Sequence, residues 1–366
     1  MNNPGVRRPV ILSIAALIII ALQRVLRDNF RVMHSLSRVL VRPIHRFLAE
    51  LTGHVGFSVA ELLILLTGVA VIVWLIGAVI RLLINPGKGI QLLHIFLSLA
   101  ALVLCIYAGF CVLWGVYYYG EDFSDNTGIY ARDISTEELK TVTSYFAELA
   151  NQYAQQVPRD QERRYQADRN EILRKSKDLY RETVEDYPGL DGPKDSVKPF
   201  HFSKILSLAG FTGFFFPFTG EANVNTDFPP SQFAATVAHE IAHQRGVATE
   251  QEANFCAVLA SFRNGDPDYC YSAALMAYVY LGNALYESDP QALEEIRAGL
   301  CNEIKTDLAE DRAYWEQYET PVQSVSNTVY EEFLYSYDQK LGLKSYGACV
   351  DLLVSYYLDK ALAFQE

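Results

Sequence analysis

Residues 231–243 read Ser231-Gln232-Phe233-Ala234-Ala235-Thr236-Val237-Ala238-His239-Glu240-Ile241-Ala242-His243. The run contains neither glycine nor proline, and Pro229-Pro230 stands directly before it, so a helix is expected to begin at about Ser231. Positions four apart share a helical face, which lets His239 and His243 offer two imidazoles to one zinc ion. Glu240 falls beside the metal's open position, where it can take a proton from zinc-bound water and pass it to a leaving amine. Zinc would act as the Lewis acid and bring the pKa of a bound water to about 7. The apolar neighbours Val237, Ala238, Ile241 and Ala242 fit a buried metal-bearing helix better than a solvated chance match.

A third ligand has to follow a turn. Gly246 can end the helix in a left-handed conformation, and Thr249-Glu250-Gln251-Glu252-Ala253-Asn254 comes next. Two glutamates compete for the ligand role. Thr249 with Glu252 matches a capping box, which gives Glu252 a structural explanation and favours Glu250 as the ligand, with Glu252 as the alternative. Glu250 and Asn254 lie four apart and share a face. In a metzincin-like spacing the third histidine would fall at Thr249, which disfavours that class.

The Glu-x-x-Ala-Asn arrangement after His-Glu-x-x-His resembles the gluzincin pattern, in which Glu-x-x-x-Asp supplies a zinc ligand and a carboxylate that orients a zinc-binding histidine. The resemblance implies Glu250 as ligand and Asn254 behind a histidine. Asn replaces Asp there, and an amide still accepts a histidine N–H but adds no charge. The whole layout also resembles a bacterial family of membrane-anchored zincin-like proteins, domain of unknown function 3810. That likeness is carried by Phe218-Thr219-Gly220-Glu221-Ala222-Asn223, by the block from His239 to Phe255, and by Tyr337-Asp338-Gln339-Lys340 through Ser345-Tyr346-Gly347. It implies a peptidase-like fold without naming a substrate.

Outward from this centre the chain divides sharply. Residues 1–119 hold three acids (Asp28, Glu50, Glu61) and ten Lys and Arg, leaving 40 acids and 21 bases in residues 120–366. A basic apolar segment suits a lipid bilayer, and an acidic domain argues against nucleic acid as a partner. Two apolar runs, at about 59–84 and 92–119, exceed the roughly 20 residues a spanning helix needs. Trp114, Tyr117, Tyr118 and Tyr119 read as an interfacial aromatic belt. A shorter run at about 9–23 follows Arg7-Arg8 and, lacking a small-x-small cleavage site, reads as a retained signal anchor.

Orientation is argued from charge. Segment 24–57 carries six arginines, which the positive-inside tendency would hold in the cytoplasm, whereas Arg7, Arg8, Arg81 and Lys88 pull the other way. An anchor with an early Arg pair commonly starts inside, so the domain is expected on the extracytoplasmic side of a bacterial cell membrane. Segment 24–57 itself reads as an interfacial amphipathic helix, or as a coupling element in a sensor.

The expected fold is mainly α with a small β element: a transmembrane anchor over 1–119, then a zincin-like metallopeptidase domain over 120–366. Helices are expected from a cap near Ser135 to about Gln156, and over 160–186, 267–288, 290–318, 322–341 and 345–364. Residues 211–225, aromatic and punctuated by Gly and Pro, predict one or two short strands turning at Thr219-Gly220, a candidate edge for a peptide added as a strand. Tyr337 and Tyr346 are candidates for stabilising an oxyanion. The six cysteines form no Cys-x-x-Cys pair, which argues against a thiolate site.

The expected function is hydrolysis of peptide bonds in a peptide or protein substrate, with zinc as cofactor. A membrane sensor that uses the domain for limited processing is the alternative. A purely structural zinc has no need of Glu240.

Overall fold

A computed structural model describes residues 4–120, 123–339 and 346–366. The chain is mainly helical, with one small three-stranded sheet. Three N-terminal helices, α1 (Pro4–Leu26), α4 (Val59–Ile84) and α5 (Lys88–Leu113), are long and apolar enough to cross a membrane. Between α1 and α4 lie α2 (Phe30–Ser35), a π-helical turn (Leu36–Val41) and α3 (Arg42–Gly53). Helix α1 runs beside α5 in the same direction: Arg8 and His94 line one cavity near their starts, and Arg24 donates to the Tyr107 hydroxyl near their ends. The spanning helix expected over 92–119 stops at Leu113, and Tyr117–Tyr119 form a separate 3-10 turn.

The remaining elements are α6 (Phe123–Thr127), α7 (Thr136–Ala154), α8 (Arg169–Lys175), α9 (Arg181–Asp186), β1 (Lys198–Phe200), α10 (Ser203–Ala209), β2 (Gly213–Phe216), β3 (Glu221–Asn225), α11 (Phe233–Gln244), α12 (Glu250–Asn264), α13 (Pro267–Ser288), α14 (Pro290–Ala298), α15 (Asn302–Glu316), α16 (Pro321–Ser336) and α17 (Tyr346–Gln365). Helix α7 starts on a complete capping box between Ser135 and Glu138. Two expected helices are corrected. The stretch 160–186 is a bridge from Arg159 to Tyr165 followed by short α8 and α9, because Asp168 caps a new start and Arg163 takes a positive φ. The stretch 290–318 breaks at Gly299-Leu300-Cys301 into α14 and α15. The helix expected over 322–341 ends at Ser336, and residues 340–345 lie outside the described residues.

Helix α11 sits at the centre of the domain, between the sheet and helices α12 and α13. Ala234, Ala235, Ala238 and Ala242 let its neighbours approach closely, and Phe233, Val237 and Ile241 are buried, each contributing roughly 1.5–3 kcal/mol. The strand order is β1-β3-β2, with β1 parallel and β2 antiparallel to β3. Strand β1 carries no strand signal in the sequence because Pro199 sits within it; proline is tolerated there since β1 lies at the sheet edge.

The sheet is docked directly on α4, one of the helices long and apolar enough to cross a membrane. Glu221 accepts from the backbone N–H groups of Val59 (3.1 Å) and Ala60 (2.7 Å), satisfying the first turn of α4, and Ser58 donates to Asn223 Oδ1 at 2.6 Å. Glu61 in turn accepts from His201 N and Phe202 N (2.9 and 2.7 Å). The Thr-Gly-Glu-Ala-Asn stretch therefore joins the sheet to the start of α4. Segment 30–53 packs on the domain too: Arg42 donates to Gly189 O, Arg46 pairs with Asp191 at 2.7 Å, and Thr52 donates to Thr219 O.

Candidate metal centre

The histidine rings of α11 face each other edge-to-face, with centroids 4.6 Å apart. Gly246 ends the motif's turn at φ +91°, and a Cβ there would lie 2.8 Å from the Tyr117 ring. The chain then reverses into α12, whose first residue is Glu250. Glu250 Oε2 lies 3.2 Å from His239 Nε2, and Oε1 lies 3.6 Å from His243 Nε2. One ligand atom from each of the three residues falls within 4.8 Å of the others.

The donor set suits a divalent ion. Val247 O, a pure acceptor, sits 2.7 Å from His243 Nδ1, so that nitrogen carries the hydrogen. His239 Nδ1 lies 2.8 Å from Asn254 Oδ1, which accepts in the same way. Each ring thus turns Nε2 towards a carboxylate, and a lone pair there needs either a proton or a cation in between. Tetrahedral zinc, with bonds of about 2.0–2.2 Å, separates its ligand atoms by about 3.3–3.6 Å. The two imidazole–carboxylate distances are close to that span.

Electrostatics of the trio are those of tightly opposed charges. Burial raises the Glu250 pKa, but the two imidazoles outweigh it and hold the carboxyl well below its usual range. Burial likewise works against a charged His243, but Glu250 wins and lifts it to about 9. A proton on His243 and a bound cation satisfy the same contact, so metal binding would displace that proton.

Glu240 lies beside this trio. It is buried, its Oε2 has no hydrogen-bond partner, and burial pushes its carboxyl up to about 7, within the range suited to proton exchange near neutral pH. A Cβ on Gly213 would lie 2.6 Å from Glu240 Oε1, so only glycine lets β2 pass so near the carboxylate.

Glu252 does not join the group. Thr249 Oγ1 donates to Glu252 Oε2 at 2.6 Å, and the carboxylate borders a separate small cavity with Tyr117 and Arg245. The capping box expected at Thr249 is not formed as expected, since its hydroxyl is spent on Glu252 instead of a backbone N–H. Tyr337 is buried away from the centre, its hydroxyl 3.4 Å from Cys111 Sγ. Tyr346 opens α17, and its side chain lies outside the described residues.

A cavity of about 450 Å³ opens over the centre. Its walls include β2, an edge strand among the described residues, with Gly213, Phe214 and Phe215, and the end of α5 with the turn after it, namely Phe110, Trp114 and Tyr118. Helix α16 contributes Gln323, Asn327, Tyr330 and Phe333. The Tyr330 hydroxyl reaches Glu250 Oε1 at 2.5 Å. Nothing in the spacing singles out Tyr330 among 23 tyrosines, because it arrives from 80 residues away. Trp114 and Tyr118 read as an interfacial belt, and the structure turns them inward onto the cleft, with Trp114 against His243 at 5.7 Å.

A family model described as a protein of unknown function (DUF3810) matches residues 36–354, and the chain belongs to that family. No curated protein and no solved structure matches it.

Proposed function

We propose, for this member of a family without an assigned activity, a membrane-anchored zinc-dependent endopeptidase of gluzincin type. The observation that carries the reading is the juxtaposition of His239, His243 and Glu250 with an unpartnered buried Glu240 oxygen at the floor of a cleft. His239, His243 and Glu250 would hold the ion, and Asn254 and Val247 O would orient the rings. Zinc bound there supplies Lewis acidity to the scissile carbonyl and to an attacking water.

The chain's own groups do the rest. Glu240 takes the water's proton and delivers it to the leaving amine. The free side of β2 receives the substrate backbone as an added strand, running past Glu240 at Gly213. Tyr330, rather than Tyr337, is positioned to donate to a developing oxyanion. Trp114, Phe110 and Phe333 supply apolar walls that exclude water.

The domain belongs outside the cytoplasm of a bacterial cell in this reading. Parallel α1 and α5 put Arg7, Arg8, Arg81 and Lys88 at the end opposite the domain. Of the six arginines in 24–57, Arg24, Arg27, Arg42 and Arg46 bind acceptors of the domain, which gives them a structural role independent of membrane potential. A second reading, a sensor that processes a single partner, draws on the docking of segment 30–53 onto the loop at Gly189 and Asp191.

The test is zinc content and peptide cleavage by the full-length protein. Glu240→Gln should keep the metal and lose about 10²–10⁴ in rate, while His239→Ala should lose the metal. Stoichiometric zinc with no turnover on broad peptide libraries would refute the endopeptidase reading.

A further inference from the structure

The outer faces of two helices that frame the cleft are apolar and uncovered. Helix α16 is two-sided: Gln323, Asn327 and Tyr330 look into the cleft, while Val322, Val325 and Val329, spaced on the opposite face, are 60–64% exposed. Helix α10 does the same on a smaller scale, burying Ser203 and Ser207 and exposing Ile205 (61%) and Leu208, with exposed Phe202 directly before it. The two helices meet, since a Cβ on Gly210 at the end of α10 would lie 3.2 Å from Gln323.

Their height along the membrane axis is set by contacts with the spanning helices. Glu61, in the first turn of α4, binds the backbone N–H groups of His201 and Phe202 immediately before α10. At the other end of the lip, Phe333 of α16 packs edge-on against Phe110 in the last turn of α5, 5.4 Å away, and Ser336 O accepts from Arg24 near the end of α1. Both helices are therefore tied to the level at which the spans leave the bilayer. In water, five exposed branched side chains on adjoining helices, with Phe202 beside them, form a patch of the kind that marks an interaction surface.

We propose that α10 and α16 rest in the headgroup–acyl boundary, so that the cleft opens along the membrane surface and takes polypeptides anchored in the same bilayer. The occupant of the patch is lipid, because the start of α10 and the end of α16 are joined to the ends of the apolar helices α4 and α5. The substrate class rests on the endopeptidase reading; the lipid contact does not. An anchored polypeptide leaving the bilayer meets the cleft at the height of Trp114 and Tyr118, and tethering raises its local concentration without any new contact. A freely diffusing peptide gains neither advantage.

Two measurements separate these parts. Full-length protein carrying Val325→Trp or Ile205→Trp is placed in phosphatidylcholine nanodiscs, and the added emission is compared in plain and brominated lipid. Quenching by bromolipid of at least twofold, with protection from acrylamide, is expected. Quenching by acrylamide alone overturns the placement, and so does protection from both, which would assign the face to a protein partner such as a second copy. In co-reconstituted vesicles, one cleavable sequence is then offered free or fused to a spanning helix. The anchored form should be cut at least tenfold faster, and Val325→Asp with Val329→Asp should remove that gain while free-peptide cleavage persists. Equal rates overturn the substrate class. Cleavage of neither, with zinc bound and lipid quenching intact, refutes the peptidase reading and the substrate class together, and leaves the lipid contact standing.

Discussion

The Tyr330 hydroxyl donates to Glu250 Oε1 at 2.5 Å, joining α16 to the first residue of α12 across 80 positions of sequence. Through this bond the wall of the cleft is attached to the centre it covers. Tyr330→Phe removes this donor from the carboxylate while keeping the ring against Phe211 and Phe333. The expected result is a fall in kcat of about 10²–10³-fold with zinc content unchanged. An unaltered kcat would show that the hydroxyl has no part in the reaction.

Asn254 accepts from His239 Nδ1 and fixes which nitrogen faces Glu250. Asn254→Ala should weaken zinc binding by about 10–100-fold, measured by competition with a chelator. Asn254→Asp keeps the acceptor and adds charge, so it should bind zinc at least as tightly as the wild type. If the alanine variant matches the wild type, the amide is not orienting the ring.

Asp307 lies far from the cleft in a buried network. It accepts from both terminal nitrogens of Arg159, from Tyr165 N and from the Tyr271 hydroxyl. Asp307→Ala leaves Arg159 facing buried ring surface without its carboxylate and should cost about 3–5 kcal/mol. The more exposed ion pair between Arg46 and Asp191 should contribute under about 1 kcal/mol. Thermal unfolding of both alanine variants in the same detergent makes the comparison, and equal losses would contradict it.

His45 is enclosed by Tyr117 and Phe215, and burial lowers its pKa to about 4 from an ordinary 6.5. Between these values the unfolded chain binds a proton that the folded chain refuses, so stability rises with pH across that window. The contribution is complete above about pH 6.5 and declines as pH falls towards 4, on the order of 3 kcal/mol in all. His45→Gln should therefore lose less stability than the wild type between pH 7 and 4.5. Parallel losses in the two proteins would exclude this origin.

The sequence alone determined the elements whose signals are local. Unbroken apolar runs marked the helices long and apolar enough to cross a membrane, since a bilayer core demands length and hydrophobicity from one continuous segment. The four-residue histidine spacing marked a helical face, and Gly246 marked its end, because helix periodicity and left-handed backbone are properties of neighbouring residues. The strand pair around Thr219-Gly220 was legible for the same reason. Tertiary structure decided what depends on approach between distant segments. Glu250 and Glu252 are chemically alike and two residues apart, and only the angle at which α12 leaves Gly246 turns one towards the imidazoles and the other towards Thr249. Tyr330, Gly213 and Trp114 come to the cleft from three separate parts of the chain. Glu221 and Glu61, one from the sheet and one from the apolar helix α4, exchange backbone contacts that fix the sheet against the start of that helix. No periodicity within one segment encodes such meetings; they follow from how helices and sheet pack together.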